Sequence, residues 1–155
     1  TAGDKEKAAL AKKHGYDHVI LYRETKFVDE VKRLTGGAGV PVVYDGVGKD
    51  TFMDSLDCLK PRGLMVGFGN ASGAVPPFNL GLLAQKGSLY VTRPTLATHV
   101  ATREELVATA NDLFDVVKSG AVKIEINQTY PLKDAAKAHR DLESRKTTGS
   151  TILLA

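Results

Sequence analysis

The sequence has one cysteine, no tryptophan and no long apolar run. Because Cys58 has no second cysteine to pair with, we expect neither an internal disulfide nor a cysteine-based zinc site. The apolar stretches are far shorter than the ~20 residues of a membrane helix, which predicts a soluble protein with no membrane partner. The histidines lack metal-ligand spacing and no serine lies in a Gly-x-Ser-x-Gly elbow, so neither a metalloenzyme nor a hydrolase is indicated.

Charge is nearly balanced and evenly spread along the chain. The 21 lysines and arginines stand against 18 acidic residues, giving a net charge of +3 without a basic run, so we expect no nucleic-acid partner. With 155 residues, 43% apolar and 25% charged, the composition suits a globular protein of one domain or of parts of two. The chain begins Thr1-Ala2-Gly3-Asp4 without an initiator methionine, which indicates either processing or a piece of a longer protein.

Apolar periodicity predicts alternating helices and strands along the first two thirds of the chain. The predicted helices cover 4–14, 27–34, 49–60 and 80–85, and the predicted strands cover 18–22, 40–45, 63–69 and 88–92. Asp4 is suited to cap the first helix and Gly15 to end it. The nearly continuous apolar run at 40–45 is typical of a strand covered on both faces, as in parallel sheets.

The pattern changes near residue 120. Thr102-Arg103-Glu104-Glu105 has the sequence of a capping box, and it opens a helix that carries an apolar stripe and ends at Gly120. Val122, Ile124 and Ile126 then alternate with polar residues, which predicts a strand with one wet face, followed by a helix at 132–145 and a strand at 151–154. The whole series predicts an α/β fold with a doubly wound parallel sheet. Since its first element is a helix, the strand that should precede that helix is absent.

Two glycine signals follow predicted parallel strands at their carboxyl ends, where open α/β sheets bind ligands. They are the segments 45–48 (DGVG) and 67–70 (GFGN). Neither is a Gly-x-Gly-x-x-Gly fingerprint, because the third glycine is replaced by Thr51 in one and Ser72 in the other. Two interpretations stay open for these glycines: tight turns that need a positive φ, or close contact with a ligand.

Two further segments carry candidate contacts. Lys5 and Lys7 lie in the first turn of the helix capped by Asp4, where the helix dipole disfavours a cation by roughly 0.3–1 kcal/mol and a bound anion would offset that effect. Tyr22 follows a predicted strand and so lies at the same sheet edge as the glycine turns. The simpler alternatives are an exposed lysine and an exposed strand end.

An ordered series of segments resembles the zinc-independent NADPH:quinone oxidoreductases, the zeta-crystallin-like branch of the medium-chain dehydrogenase/reductase superfamily. The segments are YDGVG at 44–48, SLDCL at 55–59, PRG at 61–63, GFGNASG at 67–73 and KGSLYVTRP at 86–94. The resemblance implies the C-terminal half of such an enzyme, a partial Rossmann-type sheet lacking its first strands. It implies that residues 1–120 are the remainder of an NADPH-binding domain and that 121–155 form a strand-helix-strand tail that packs on the catalytic, GroES-like domain.

The resemblance also implies roles for individual residues. Gly3, Lys7 and Tyr22 match positions that recognise the adenosine 2′-phosphate of NADPH. Asp4 departs from the small residue common in the family, so either it turns inward as a helix cap or it weakens the NADPH preference. The remaining implied cofactor contacts are the turn residues Asp45, Gly46 and Gly48, the nicotinamide and ribose positions Phe68, Gly69 and Ser72, and Arg145 near the end of the chain.

The implied activity is hydride transfer from NADPH to a quinone or a similar activated carbonyl, with no catalytic residue and no metal ligand from this segment. The family resemblance further implies a cytoplasmic homodimer that pairs the strand at 88–92 with its copy. We expect the isolated chain to be inactive, because the phosphate loop and most of the substrate pocket precede it in such enzymes. Two alternatives stay open: a non-catalytic assembly or crystallin-like module, and another zinc-free reductase acting on enones or alkenals.

Overall fold

The computed structural model describes residues 1–145 and 147–155, which divide into two compact units, Thr1–His99 and Val100–Ala155. The helices of the first unit are α1 (Lys5–Lys13), α2 (Phe27–Leu34), α3 (Phe52–Asp57), α4 (Gly81–Gln85) and α5 (Leu96–His99). Its strands are β1 (Val40–Asp45), β2 (Leu59–Gly67) and β3 (Tyr90–Thr92). The second unit holds α6 (Arg103–Lys118), β4 (Ile126–Pro131), a 3-10 turn (Leu132–Asp134), α7 (Ala135–Glu143) and β5 (Ser150–Leu154).

The first unit is built on a three-stranded parallel sheet in the order β1-β2-β3. In its register Val43 lies opposite Met65, and Met65 lies opposite Val91. Parallel neighbours cannot be joined by a tight hairpin, and here α3 links β1 to β2 while α4 links β2 to β3. The predicted α/β fold with a parallel sheet is therefore confirmed.

The core lies on one face of this sheet. Phe52 and Leu56 of α3 pack with Leu59, Met65 and Leu89, and Leu56 and Met65 are fully buried. The Phe52 ring also lies 5.1 Å from that of Phe78, between centroids, in a tilted arrangement. Because α3 is buried along this face, the carboxyl ends of β1 and β2 are held against the start of α3.

Within this chain the run at 40–45 is covered on one face of the sheet, whereas its composition predicts cover on both faces. On the face of the sheet opposite the core, Tyr44 is 73% exposed and Tyr90 is 61% exposed. Side chains alternate between faces along a strand, so the core covers Val43 and Met65 while Tyr44 and Tyr90 stay exposed. The apolar run correctly predicted the strand but not what covers it.

The predicted strand at 18–22 forms only a single parallel bridge, between Ala2 and Leu21. The Ala2 amide donates to the Ile20 carbonyl at 2.8 Å, and the Tyr22 amide donates to the Ala2 carbonyl at 3.3 Å. A strand needs a partner of several residues, and Ala2 is the one described residue that pairs with this segment. The predicted helix at 49–60 is also shorter, because β2 already begins at Leu59.

In the second unit, the capping box of α6 is confirmed: the Glu105 amide donates to Thr102 Oγ1 at 3.2 Å, and the Thr102 amide donates to Glu105 Oε2 at 2.9 Å. The strand predicted from 122 begins later, at Ile126, because the Val122 amide still bonds to the Val116 carbonyl of the preceding helix. β4 and β5 pair in parallel around α7, as the predicted strand-helix-strand tail requires.

The boundary between the two compact units follows His99, whereas the sequence pattern changes near residue 120. The helix α6 therefore belongs to the C-terminal unit. The assignment of 1–120 and 121–155 to different domains of a larger enzyme stays a prediction. Among the described residues, no helix combines the length and the apolar character that crossing a bilayer requires.

Candidate functional site

Two loops at the carboxyl ends of β1 and β2 are hydrogen-bonded to each other. We call residues 45–50 the first turn and residues 67–73 the second loop. The main-chain bonds between them, 2.8–3.3 Å long, run from the amides of Phe68, Ala71, Ser72 and Lys49 to the carbonyls of Asp45, Gly46, Val47 and Gly73, respectively. Both predicted glycine signals therefore lie together at one edge of the sheet, as their position after parallel strands indicated.

Two different structural requirements explain the glycines at positions 48 and 69: a positive φ at the first and a close approach of two backbones at the second. Gly48 has φ +89°, a backbone conformation that other residues rarely adopt, which agrees with the turn interpretation. Gly69 does not have a positive φ, but a Cβ on it would lie 2.3 Å from the Gly46 carbonyl oxygen. The two loops thus approach each other through their backbones at Gly46 and Gly69. Contact of these glycines with a ligand stays a prediction.

The carboxylate of Asp45 holds the first turn and the start of α3. Its Oδ1 accepts from the amides of Val47 at 2.7 Å and Gly48 at 3.0 Å, and its Oδ2 accepts from Thr51 Oγ1 at 2.7 Å and Ser55 Oγ at 2.8 Å. Burial alone would raise the pKa of Asp45, but these hydrogen bonds outweigh it and hold the pKa below its ordinary value. The buried carboxylate is therefore an ionised structural group whose acceptor positions are occupied.

The predicted nicotinamide residues lie on the second loop. The Ser72 hydroxyl donates to the Val47 carbonyl at 2.9 Å and accepts from the Asp50 amide at 3.0 Å, so it fastens the loop to the first turn. The Phe68 ring is 54% exposed, and it would touch a Cβ placed on Gly46 at 3.0 Å. Phe68 therefore presents an apolar surface beside the paired glycines.

A cavity of about 580 Å³ opens at the carboxyl ends of β1, β2 and β3. Its size falls within the range of small-molecule sites, roughly 300–1,000 Å³. The lining residues are mostly apolar, with Asp45, Asn70, Thr92 and Arg93 as the polar exceptions. Of the predicted cofactor residues, Asp45, Gly48 and Gly69 line this cavity. An apolar cavity with a few polar groups suits a flat ring with polar substituents.

The structure also brings the first residues of the chain next to Tyr22. The Ala2–Leu21 bridge aligns the two segments, and a Cβ on Gly3 would lie 3.0 Å from Tyr22 Oη. Asp4 caps α1, its Oδ1 accepting from the Lys7 amide at 2.8 Å. Of the two possibilities left open for Asp4, the structure therefore shows the helix cap, with Lys7 in the first turn that it closes.

Arg145 lies in the second unit, just after α7. It has φ +60°, and its amide donates to the Leu142 carbonyl at 3.0 Å. Its contribution to a cofactor site in the first unit stays a prediction.

Sequence reasoning missed Thr51 and Ser55, which bind the Asp45 carboxylate. They lie four residues apart at the start of the predicted helix, and this spacing puts two hydroxyls on one helix face. That spacing, directly after a buried strand ending in an aspartate, was the available signal.

Neither a metal cluster nor a reactive cysteine is found in the described part of the chain. No group of three or more histidine, cysteine, aspartate or glutamate side chains is placed to hold a metal ion there. Cys58 is 2% exposed, and burial raises the pKa of its thiol to about 11, with the charges of Asp54 and Asp57 acting in the same direction. A thiol in this setting is a core residue and a poor nucleophile.

Comparison with known proteins identifies relatives of this chain over nearly its whole length. It is 55% identical to quinone oxidoreductase 1 of Escherichia coli (strain K12), over 99% of this chain and 48% of that protein. It is 43% identical to 2-haloacrylate reductase of Burkholderia sp, over 99% of this chain and 46% of that protein. The chain thus spans about half the length of the curated relatives it matches.

The solved structures agree with this result. The crystal structure of Escherichia coli quinone oxidoreductase complexed with NADPH matches with a TM-score of 0.94 and 54% sequence identity, over 99% of this chain and 48% of that one. The family model described as zinc-binding dehydrogenase matches residues 14–153. The resemblance inferred from the sequence motifs is confirmed, and the chain belongs to the zinc-binding dehydrogenase family, in which its relatives include quinone oxidoreductases.

Proposed function

We propose that this chain is the cofactor-domain part of an NADPH-dependent quinone oxidoreductase. The observation that carries the proposal is the similarity over 99% of the chain to a quinone oxidoreductase solved in complex with NADPH. Because the chain spans about half of such proteins, we assign the activity to a protein of their full length, called the complete protein, and we expect this chain alone to be inactive. The reaction is NADPH + H⁺ + quinone → NADP⁺ + hydroquinone.

The first part of the proposed site recognises the 2′-phosphate on the adenosine ribose. Gly3 leaves room beside the Tyr22 hydroxyl, which donates a hydrogen bond to a phosphate oxygen. Lys7 supplies a positive charge from the first turn of α1, where the helix dipole also favours an anion. Asp4 is held as the cap of the same helix, which directs its Oδ1 to the Lys7 amide.

The second part of the proposed site holds the nicotinamide end. Phe68 and Gly69 of the second loop line one side of the ring, and Ser72 keeps the loop in place through its bonds to the first turn. Gly46 and Gly48 let the two loops approach closely, and Asp45 fixes the turn that carries them. Arg145 is a further proposed cofactor residue.

The residues of the proposed site fit this cofactor. A cavity of about 580 Å³ with mainly apolar walls suits a flat ring, and a lysine and a tyrosine at a helix start suit a phosphate. When bound, the cofactor supplies the hydride. The protein orients the ring, excludes water from the apolar side of the ring and fixes the position of the phosphate end. Such positioning is the main contribution that a protein makes to a hydride transfer.

The test is NADPH oxidation by the complete protein with 1,4-benzoquinone as acceptor. A charge-assisted hydrogen bond contributes ~1.5–3 kcal/mol, so Lys7→Ala should raise the KM for NADPH about tenfold or more. The KM for NADH, which lacks the 2′-phosphate, should change less than about twofold on the same argument. Lys12→Ala, in the last turn of the same helix, is the matched control and should leave both values unchanged. Equal losses with NADPH and NADH would remove Lys7 from this role.

We propose the cytoplasm as the location and a homodimer as the assembly, formed by pairing β3 with its copy. β3 is an edge strand of the sheet, and Tyr90 on it is 61% exposed. Tyr90→Lys would place like charges near the two-fold axis, so we expect it to shift the complete protein from dimer to monomer in sedimentation velocity. A protein that sediments as a monomer before substitution would contradict this assembly.

A second candidate function is reduction of an electron-poor carbon–carbon double bond. The 43% identity to a 2-haloacrylate reductase favours it. A comparison of benzoquinone with 2-chloroacrylate as acceptors distinguishes the two functions. Turnover of 2-chloroacrylate alone would establish the second, and oxidation of NADPH by neither acceptor would favour a non-catalytic module.

A further inference from the structure

We infer that Asp45, Thr51 and Ser55 form a positioning network that sets the geometry of the nicotinamide end of the cofactor site. The inference rests on the proposed function. None of the three is assigned a direct contact with the reacting atoms. They act through the first turn and the second loop.

The network is buried and complete. Asp45 is 5% exposed and Ser55 is 4% exposed, and the carboxylate joins the end of β1, the first turn and the start of α3 through bonds of 2.7–3.0 Å. A buried carboxylate is retained at a cost in free energy unless its hydrogen bonds are satisfied, and here they are satisfied by two main-chain amides and two hydroxyls. These four bonds fasten the first turn to the start of α3.

Any movement of the turn is transmitted to the second loop. The Val47 carbonyl accepts from both the amide and the hydroxyl of Ser72, at 2.8 and 2.9 Å. The backbones of Gly46 and Gly69 are already so close that a single added methyl group would collide. Because there is no free space between these two backbones, displacement of the first turn also displaces Gly69 and the neighbouring Phe68.

The phosphate end is held by different contacts. Gly3 and Tyr22 are aligned by the Ala2–Leu21 bridge, and Lys7 is placed by the Asp4 cap. None of these bonds involves the Asp45 network. Loosening the network should therefore slow hydride transfer without weakening binding of the phosphate end.

The experiment uses the complete protein with three variants, Asp45→Asn, Thr51→Val and Thr51→Ser. We measure kcat for benzoquinone reduction, Kd for NADPH, and Kd for 2′,5′-ADP, which carries only the adenosine end. Since a misplacement of about 1 Å can lower a rate by up to about a hundredfold, we expect Asp45→Asn and Thr51→Val to lower kcat about tenfold or more. The Kd for 2′,5′-ADP should stay within about twofold of the unsubstituted protein, because its contacts are separate from the network. Thr51→Ser keeps the hydroxyl and should restore kcat.

The matched control is Thr102→Val, which also removes a threonine hydroxyl hydrogen bond but lies at the cap of α6 in the other unit. It should lower the thermal midpoint and leave kcat unchanged. If Asp45→Asn fails to fold, the pair Thr51→Val and Thr51→Ser decides the question.

An unchanged kcat in folded Thr51→Val would overturn the inference, as would a parallel loss of kcat and of 2′,5′-ADP binding, which would indicate general destabilisation. If the unsubstituted protein binds no NADPH, the proposed function itself fails and this inference fails with it. Failure of the network alone is recognised by an active protein whose variants behave normally.

Discussion

Gly69→Ala tests whether the two loops must approach each other through their backbones. A Cβ at this position would lie 2.3 Å from the Gly46 carbonyl oxygen and 2.8 Å from the Gly46 carbonyl carbon. Carbon–oxygen contacts normally begin near ~3.3 Å, so the loops would have to separate by about 1 Å. The obstructing atoms are main-chain atoms, so rotation of a side chain cannot relieve the collision.

Separation by that distance breaks the bonds from the amides of Ala71 and Ser72 to the first turn. With about 1 kcal/mol net for each bond and ~1–3 kcal/mol for overpacking, the free energy of unfolding should fall by about 3–5 kcal/mol. The rate should fall as well, because the loop that carries Phe68 moves away from the proposed nicotinamide position.

Gly67→Ala is the control. Gly67 lies two residues earlier on the same chain segment, and a Cβ there would meet its nearest neighbour, the Thr92 carbonyl oxygen, at 4.0 Å. We expect its free energy of unfolding to change by less than about 1 kcal/mol. Denaturant unfolding of the complete protein, followed by circular dichroism, measures both variants. Equal stability of the two would refute the close approach of the loops.

Three further predictions concern separate parts of the chain. Thr102→Ala removes the cap of α6 and should lower the free energy of unfolding by ~1 kcal/mol, measured by denaturant titration; an unchanged midpoint would contradict the cap. The pKa of Asp45 in the folded protein lies below its ordinary value of 3.8. The ionised carboxylate therefore contributes fully to the free energy of unfolding above pH 3.8, and this contribution is lost as the pH falls below that value. Asp45→Asn should flatten this part of the stability-against-pH curve, and an unaltered curve would show that the carboxylate is not the titrating group. Because the pKa of the Cys58 thiol is raised to about 11, iodoacetamide at about pH 8 should label the unfolded protein much faster than the folded one, as mass spectrometry will report; equal labelling rates would place the thiol at the surface.

The sequence predicted local features well because their causes are local. The Asp4 cap and the Thr102 capping box depend on atoms three residues apart, and both form as expected. The order of helices and strands follows from apolar spacing within short windows. These signals need no knowledge of the rest of the chain.

Features that depend on distant partners were predicted less well. The segment 18–22 has the composition of a strand, yet a ladder needs a neighbouring strand, and Ala2 alone provides pairing among the described residues. The strand expected from 122 begins at Ile126 because Val122 is still bonded to the end of α6. Propensity describes what a residue can form, and the available partner decides what it does form.

The candidate site shows the same difference between features with local causes and features that depend on distant partners. Strand order and the position of the glycines predicted that the first turn and the second loop would meet at one edge. They did not predict why Gly69 must be glycine, since a close approach of two backbones is visible only in three dimensions. Thr51 and Ser55 were missed because hydroxyl side chains at a helix start are common, and their shared target, Asp45, is identified only by distance.

These contacts divide the proposed site into two parts of different rigidity. The phosphate end is aligned by one bridge with two main-chain hydrogen bonds, whereas the nicotinamide end combines a buried carboxylate network with a backbone contact that has no free space. Segments with few buried contacts open at lower free energy than segments held in a core. For the proposed site we therefore expect that cofactor choice and rate can be changed independently. Substitutions near Lys7 should change which dinucleotide binds, and substitutions near Thr51 should change how fast the bound one reacts.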